Sequence, residues 1–167
     1  MAVEDFVKYY EGVGIVKFNE NYRYKSINFD HSKTNKNHSV FRLVLQEDSH
    51  IFLSVNQKDE RWFSPDSFDY SIVRMMVGRC SEEGVEYLDG VVEYDRNVVI
   101  ESTLAAGSYL VTIDMQWVDN PSEKDEAKRH WRKANLSAYS EKVVNFEEIH
   151  EPDFHKIERN LFMSYIQ

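Results

Sequence analysis

The chain has 167 residues, of which 42% are apolar and 14% aromatic, enough for one domain with a true core and incompatible with global disorder. Six glycines and three prolines exclude collagen-like or low-complexity sequence, and a single cysteine excludes an internal disulfide framework or a multi-cysteine zinc site. A net charge of −9 argues against nucleic-acid binding, and no apolar run is long enough to span a membrane, so a soluble cytoplasmic protein is expected. The excess acidity is concentrated in residues 41–118, which carry 14 acidic and 6 basic side chains.

In chain order, Val3, Phe6, Val7 and Tyr10 fall at helical spacing, which predicts a short helix over 1–11 that Gly12 and Gly14 stop. Residues 15–18 and 22–29 are candidate strands, and 30–39 a polar loop. Phe41, Leu43 and Leu45 then alternate with Arg42 and Val44, and 51–57 is a near-continuous apolar strand. Strands are expected at 70–77, around Val91 to Tyr94 and at 97–101, with a turn at 81–84. The clearest alternation is 108–117, where Tyr109, Val111, Ile113 and Met115 share a face. A charged loop at 119–133 precedes a last strand at 135–144, and Phe154, Ile157, Leu161 and Tyr165 predict a helix after Pro152.

Short strands without long helices between them predict an all-β fold: an antiparallel sandwich of about eight strands, with a short helix at each end. The division expected is 1–37 as junction helix and strands, 38–144 as sandwich, and 145–167 as a helical tail.

Little in the sequence resembles an active site. Cys80 precedes the acidic pair Glu82-Glu83 and has no histidine near it in sequence, poor surroundings for a nucleophilic thiolate. The six histidines form no HExxH or HxH, and neither GxGxxG nor GxxxxGK occurs. Two loop features bear on binding. Calcium needs several oxygen ligands, and Asp119, Glu123, Asp125 and Glu126 form the best acidic candidate, with a solvated charged loop as the plainer reading. Lys128, Arg129, Arg132 and Lys133 surround Trp131, a cluster suited to an anionic lipid surface or acidic partner, or to balancing the acids before it.

Several fragments together resemble the calpain family. VEDFVKYYEGVGIVKF (3–18) resembles the helix and strand that close the calpain protease core. HSVFRLVL (38–45), IFLSVNQKDERW (51–62), LAAGSYLVTIDMQW (104–117) and LSAYSEK (136–142) resemble strands of the calpain regulatory sandwich, in the same order. The acidic loop that calpains carry between the first two of these strands is shortened here to Gln46–His50.

The resemblance implies a non-catalytic, C2-like regulatory domain of a calcium-dependent cysteine protease. Such a domain docks on a calpain-type protease core, within one chain or in trans, with calcium or an anionic membrane surface as candidate inputs and no cofactor required. The catalytic Cys, His and Asn of that family precede the segment matched here, so no peptidase activity is expected of this chain. The competing reading is an independent protein-interaction or scaffold domain, indifferent to calcium and lipid.

Overall fold

A computed structural model describes residues 19–33, 36–59, 61, 69–118, 132–142, 144–150 and 152–165. Nine strands and one helix lie within them: β1 (Arg23–Asp30), β2 (His38–Leu45), β3 (Ser49–Gln57), β4 (Ile72–Cys80), β5 (Val85–Tyr94), β6 (Asn97–Leu104), β7 (Gly107–Gln116), β8 (Lys133–Ser140), β9 (Val144–Glu148) and α1 (Phe154–Tyr165). They form two antiparallel sheets, ordered β1-β8-β3-β6 and β5-β4-β7-β2-β9, as the all-β expectation requires. Only the β4–β5 hairpin stays within one sheet; every other consecutive pair crosses between sheets. For β1 to β8 this is the double-sheet wiring of a jelly roll, with β9 added beside β2.

Alternation explains the layering. In β3, Ile51, Leu53 and Val55 are buried while Phe52, Ser54 and Asn56 are half-exposed, the period of two that puts alternate side chains on opposite faces. Val73, Met75 and Val77 of β4 and Tyr109, Val111, Ile113 and Met115 of β7 meet them from the other sheet. Each such side chain contributes about 1.5–3 kcal/mol by leaving water. The β4–β5 turn closes through Ser81 N donating to Gly84 O at 2.8 Å, and Gly84 sits at φ 140°, a conformation other residues rarely adopt.

The C-terminal helix forms as the spacing predicts. Asp153 caps it, its Oδ1 accepting from Lys156 N at 3.1 Å, directly after Pro152. Phe154 and Leu161 are buried against the outside of the five-stranded sheet, where Phe154 packs with Val40 and Leu110. Leu161 lies directly over Gly78: a Cβ built there would be 2.3 Å from Leu161 Cδ2. Arg74 on β4 ties the helix down by pairing with both Asp114, at 2.9 Å, and Glu158 of α1. Leu110 and Thr112 are buried on the outer side of β7 for the same reason, although strand alternation alone assigns that face to solvent.

The sandwich extends past 38–144 at both ends. β1 pairs along its whole length with β8, from Arg23 with Ser140 to Asp30 with Lys133, and so belongs to a sheet of the domain rather than to a junction. β9 pairs with β2, so the segment after 144 begins as a strand and turns helical only at Phe154. The expected strand 135–144 is two strands in different sheets, and the chain turns between them where Lys142 N donates to Ser49 Oγ at 3.2 Å and Glu141 N to His50 O. Lys133, expected in a loop, opens β8. The predicted helix over 1–11 lies outside the described residues. No described helix is long and apolar enough to cross a membrane.

Candidate functional site

The calcium candidates Asp119, Glu123, Asp125 and Glu126, and Lys128, Arg129 and Trp131 of the basic cluster, lie outside the described residues. The other two members of that cluster are described. Arg132 is buried, and its carbonyl accepts from His31 N at 2.8 Å. Lys133 Nζ meets Asp30 Oδ2 at 3.0 Å across the β1–β8 pair. Partial burial works against the Asp30 carboxylate, but bonds from Ser32 and Lys133 outweigh it and hold the group at about 2.

Other loop acids are committed to structure. Asp48 Oδ1 accepts from Ala106 N at 2.8 Å. Asp59 is gripped by Arg61, through bonds of 2.9 and 2.7 Å, and by Arg96 at 2.5 Å. The Arg61 bonds first, and then the two guanidinium charges, hold its carboxyl well below the usual carboxylate range. Among the described residues no group of three or more His, Cys, Asp or Glu side chains is placed to hold a metal ion.

One constellation has the composition of catalytic machinery. Trp117 Nε1 donates to His31 Nδ1 at 3.1 Å, His31 Nε2 lies 3.0 Å from Ser39 Oγ, and Ser39 Oγ donates to Glu148 Oε1 at 3.0 Å. An indole nitrogen can only donate, so His31 Nδ1 must accept and Nε2 must carry the ring proton. The proton then points at Ser39, and the serine's own proton at Glu148. A serine nucleophile needs the reverse, a histidine nitrogen free to take its proton. Burial, with His38 nearby, lowers the His31 pKa to about 4, so the ring is neutral at pH 7. The chain of bonds joins β2, β7, β9 and the end of β1. Beside it lies a polar recess of 180 Å³ flanked by His38, His150 and Lys36.

Cys80 is half-buried at the end of β4, packed with Val85, Ile149 and Ile157 against the apolar cluster beneath α1. His150, at the strand end, and His155, on the helix, are exposed to solvent.

One apolar concavity was not legible in the sequence. A cleft of about 570 Å³ lies between α1 and strands β4 and β5, lined by Met76, Tyr87, Val91, Val92, Arg159 and Leu161 among others. Among the described residues β5 is an outer strand of its sheet, with no described strand beside one row of its backbone groups. Val92 is 63% exposed and Tyr94 52% exposed on the outer side of that strand, with Met163 of α1 46% exposed on the helix beside it. The fragment VVEY carries no motif, and only packing the helix onto the sheet forms the groove beside it.

No protein-family model and no curated protein matches the chain. Solved structures similar to it include two of low identity. A protein from Sulfurospirillum deleyianum is 10% identical, over 70% of this chain and 96% of its own, with a TM-score of 0.43. The Yersinia pseudotuberculosis-derived mitogen is 8% identical, over 79% of this chain and 88% of its own, with a TM-score of 0.38.

Proposed function

We propose that the chain is a non-catalytic regulatory sandwich of the calpain type, which acts by docking on a calpain-type protease core through the outer strand β5 and the helix beside it. The observation that carries docking is the apolar surface beside the cleft: Val92, in its lining, and Tyr94 stand largely in water on a strand that is outermost among the described residues. The calpain part rests on sequence. What supports it is that the similar fragments HSVFRLVL, IFLSVNQ, GSYLVTIDMQ and LSAYS fall on β2, β3, β7 and β8, each of which supplies side chains to the core between the sheets.

Calcium and anionic lipid are secondary in this reading. Lys133 spends its charge on Asp30 and Arg132 is buried, which favours docking without lipid for the part of the basic cluster that is described. The test is a binding titration of the purified chain against a recombinant calpain-type protease core, with and without calcium. Saturable binding that Val92→Asp and Tyr94→Asp weaken supports the reading. No binding, or binding indifferent to both substitutions, refutes it, and light scattering distinguishes a second copy of the chain as the occupant.

A further inference from the structure

The outer face of the four-stranded sheet is ordered in rows, and its chemistry is unlike that of the docking rim. Register places Asn28 of β1 opposite Asn135 of β8, Asn135 opposite Asn56 of β3, and Asn56 opposite Asn97 of β6. Four asparagines therefore cross all four strands in one line, about 14 Å long at the ordinary strand spacing. The next row along the strands is Ser26, Ser137, Ser54 and Val99, and the one after it Tyr24, Tyr139, Phe52 and Glu101. Opposed residues in antiparallel strands share a face, and Ile27, Leu136, Val55 and Val98 occupy the core side of the sheet.

The rows are pre-arranged. Asn135 Nδ2 donates to Asn28 Oδ1 at 3.0 Å, Asn56 Nδ2 to Ser137 Oγ at 2.9 Å, and Ser54 Oγ to Asn56 Oδ1 at 2.9 Å. These bonds fix the amide orientations and leave Asn28 Nδ2, Asn135 Oδ1 and the Asn97 amide directed at solvent. Beyond the serines, Tyr22, Phe52 and Tyr139 form an aromatic platform, with Tyr22 and Tyr139 centroids 4.8 Å apart and Tyr24 68% exposed alongside. A recess of 540 Å³ opens at the asparagine end of the face, lined by Asn28, Asn56 and Asn135 and, toward the strand ends, by Asp30, Lys58 and Lys133.

At one end of this face Lys133 pairs with Asp30, with Lys58 lining the recess beside them, and at the other His50 Nε2 lies 3.2 Å from Glu101. Between them only amides, hydroxyls, one valine and aromatic rings remain. That set neither attracts a polyanion nor forms an apolar protein-binding patch. Neighbouring sugar hydroxyls each donate and accept, as a carboxamide does, and the C–H face of a pyranose lies against an aromatic ring.

We infer that the outer face of the β1-β8-β3-β6 sheet binds a neutral linear oligosaccharide, laid along the asparagine row with its sugar rings reaching the Tyr22–Tyr139–Phe52 platform. The site is separate from the docking rim on the other sheet and stands or falls without it.

The test is isothermal titration of the full chain with maltohexaose, cellohexaose, xylohexaose and mannohexaose, with a heparin hexasaccharide as the anionic comparison. The expected result is saturable binding of at least one neutral hexasaccharide that exceeds heparin binding. Asn28→Ala combined with Asn135→Ala should weaken it about tenfold or more, as losing several hydrogen bonds to a ligand does. Ser26→Arg, an exposed change on the sheet's outer strand that touches no core residue, should block the face while the melting temperature stays at the wild-type value. Absence of saturable binding to all four neutral sugars at millimolar concentration overturns the inference. So does binding that survives both Ser26→Arg and the double substitution.

Discussion

Acidification should destabilise this protein through His31 before most carboxylates are protonated. The folded state holds the ring at about 4, against about 6.5 for an exposed histidine, because the ring is buried and both its nitrogens are already engaged, by Trp117 and Ser39. Above pH 6.5 the ring is neutral in both states and its full contribution is present. Between 6.5 and 4 the unfolded chain takes up a proton that the folded chain refuses, so stability falls as the pH falls. For one group with these values the loss from pH 7 to pH 5 is about 2 kcal/mol. For a protein of this size that is about 4–8 °C in melting temperature.

The measurement compares thermal unfolding of the wild type with His31→Gln across pH 7 to 4.5. Glutamine keeps a donor and an acceptor but does not titrate. Burial also lowers the His38 pKa, a background present in both proteins. The expected outcome is a stability advantage of the wild type that shrinks toward pH 4.5. A constant difference over that range, or a His31 ring that titrates near 6.5 by NMR, would refute the reasoning.

Three further outcomes follow from particular contacts. Gly78→Ala should cost about 1–3 kcal/mol and speed amide exchange in α1, because the new methyl meets Leu161 at 2.3 Å and Val85 at 2.6 Å, and Leu161 must move. If the helix keeps its exchange protection, it is not seated on Gly78. Asp59→Asn should lower the melting temperature at pH 7 by freeing Arg61 and Arg96 from their shared carboxylate, and the difference should narrow as the pH drops below about 4, where the unfolded aspartate protonates; a gap unchanged at pH 2 would contradict this. Lys133→Ala should change stability by less than about 1 kcal/mol, since the pair with Asp30 is partly exposed, and should leave sedimentation with phosphatidylserine vesicles unaltered. Loss of vesicle binding would return Lys133 to the basic surface that the sequence suggests.

The sequence was sufficient for what depends on neighbours along the chain. Alternation of apolar residues in 41–45 and 108–117 identified β2 and β7, because a strand with one face in a core must repeat every two residues, while 51–57 was legible as a near-continuous apolar strand whose alternate burial in β3 only the structure shows. Pro152 and the spacing of Phe154, Ile157 and Leu161 located the helix for an equally local reason. β1 was visible as a strand, yet its exposed Tyr24, Ser26 and Asn28 gave no sign that it closes a sheet with β8, more than a hundred residues away.

The sites divide in the same way. Seven of the nine residues singled out for cation or anionic surfaces lie outside the described residues, while the other two are committed to burial and to Asp30. Asn28, Asn56, Asn97 and Asn135 look like scattered polar residues in the chain, as do His31, Ser39 and Glu148. Only the strand order brings four asparagines into one row, and only the folding of β9 and the end of β1 around β2 joins histidine, serine and glutamate. Composition and periodicity determine which segments become strands. Pairing between distant segments determines which side chains share a face, because register is set by the summed burial of whole strands and is not encoded at any one position.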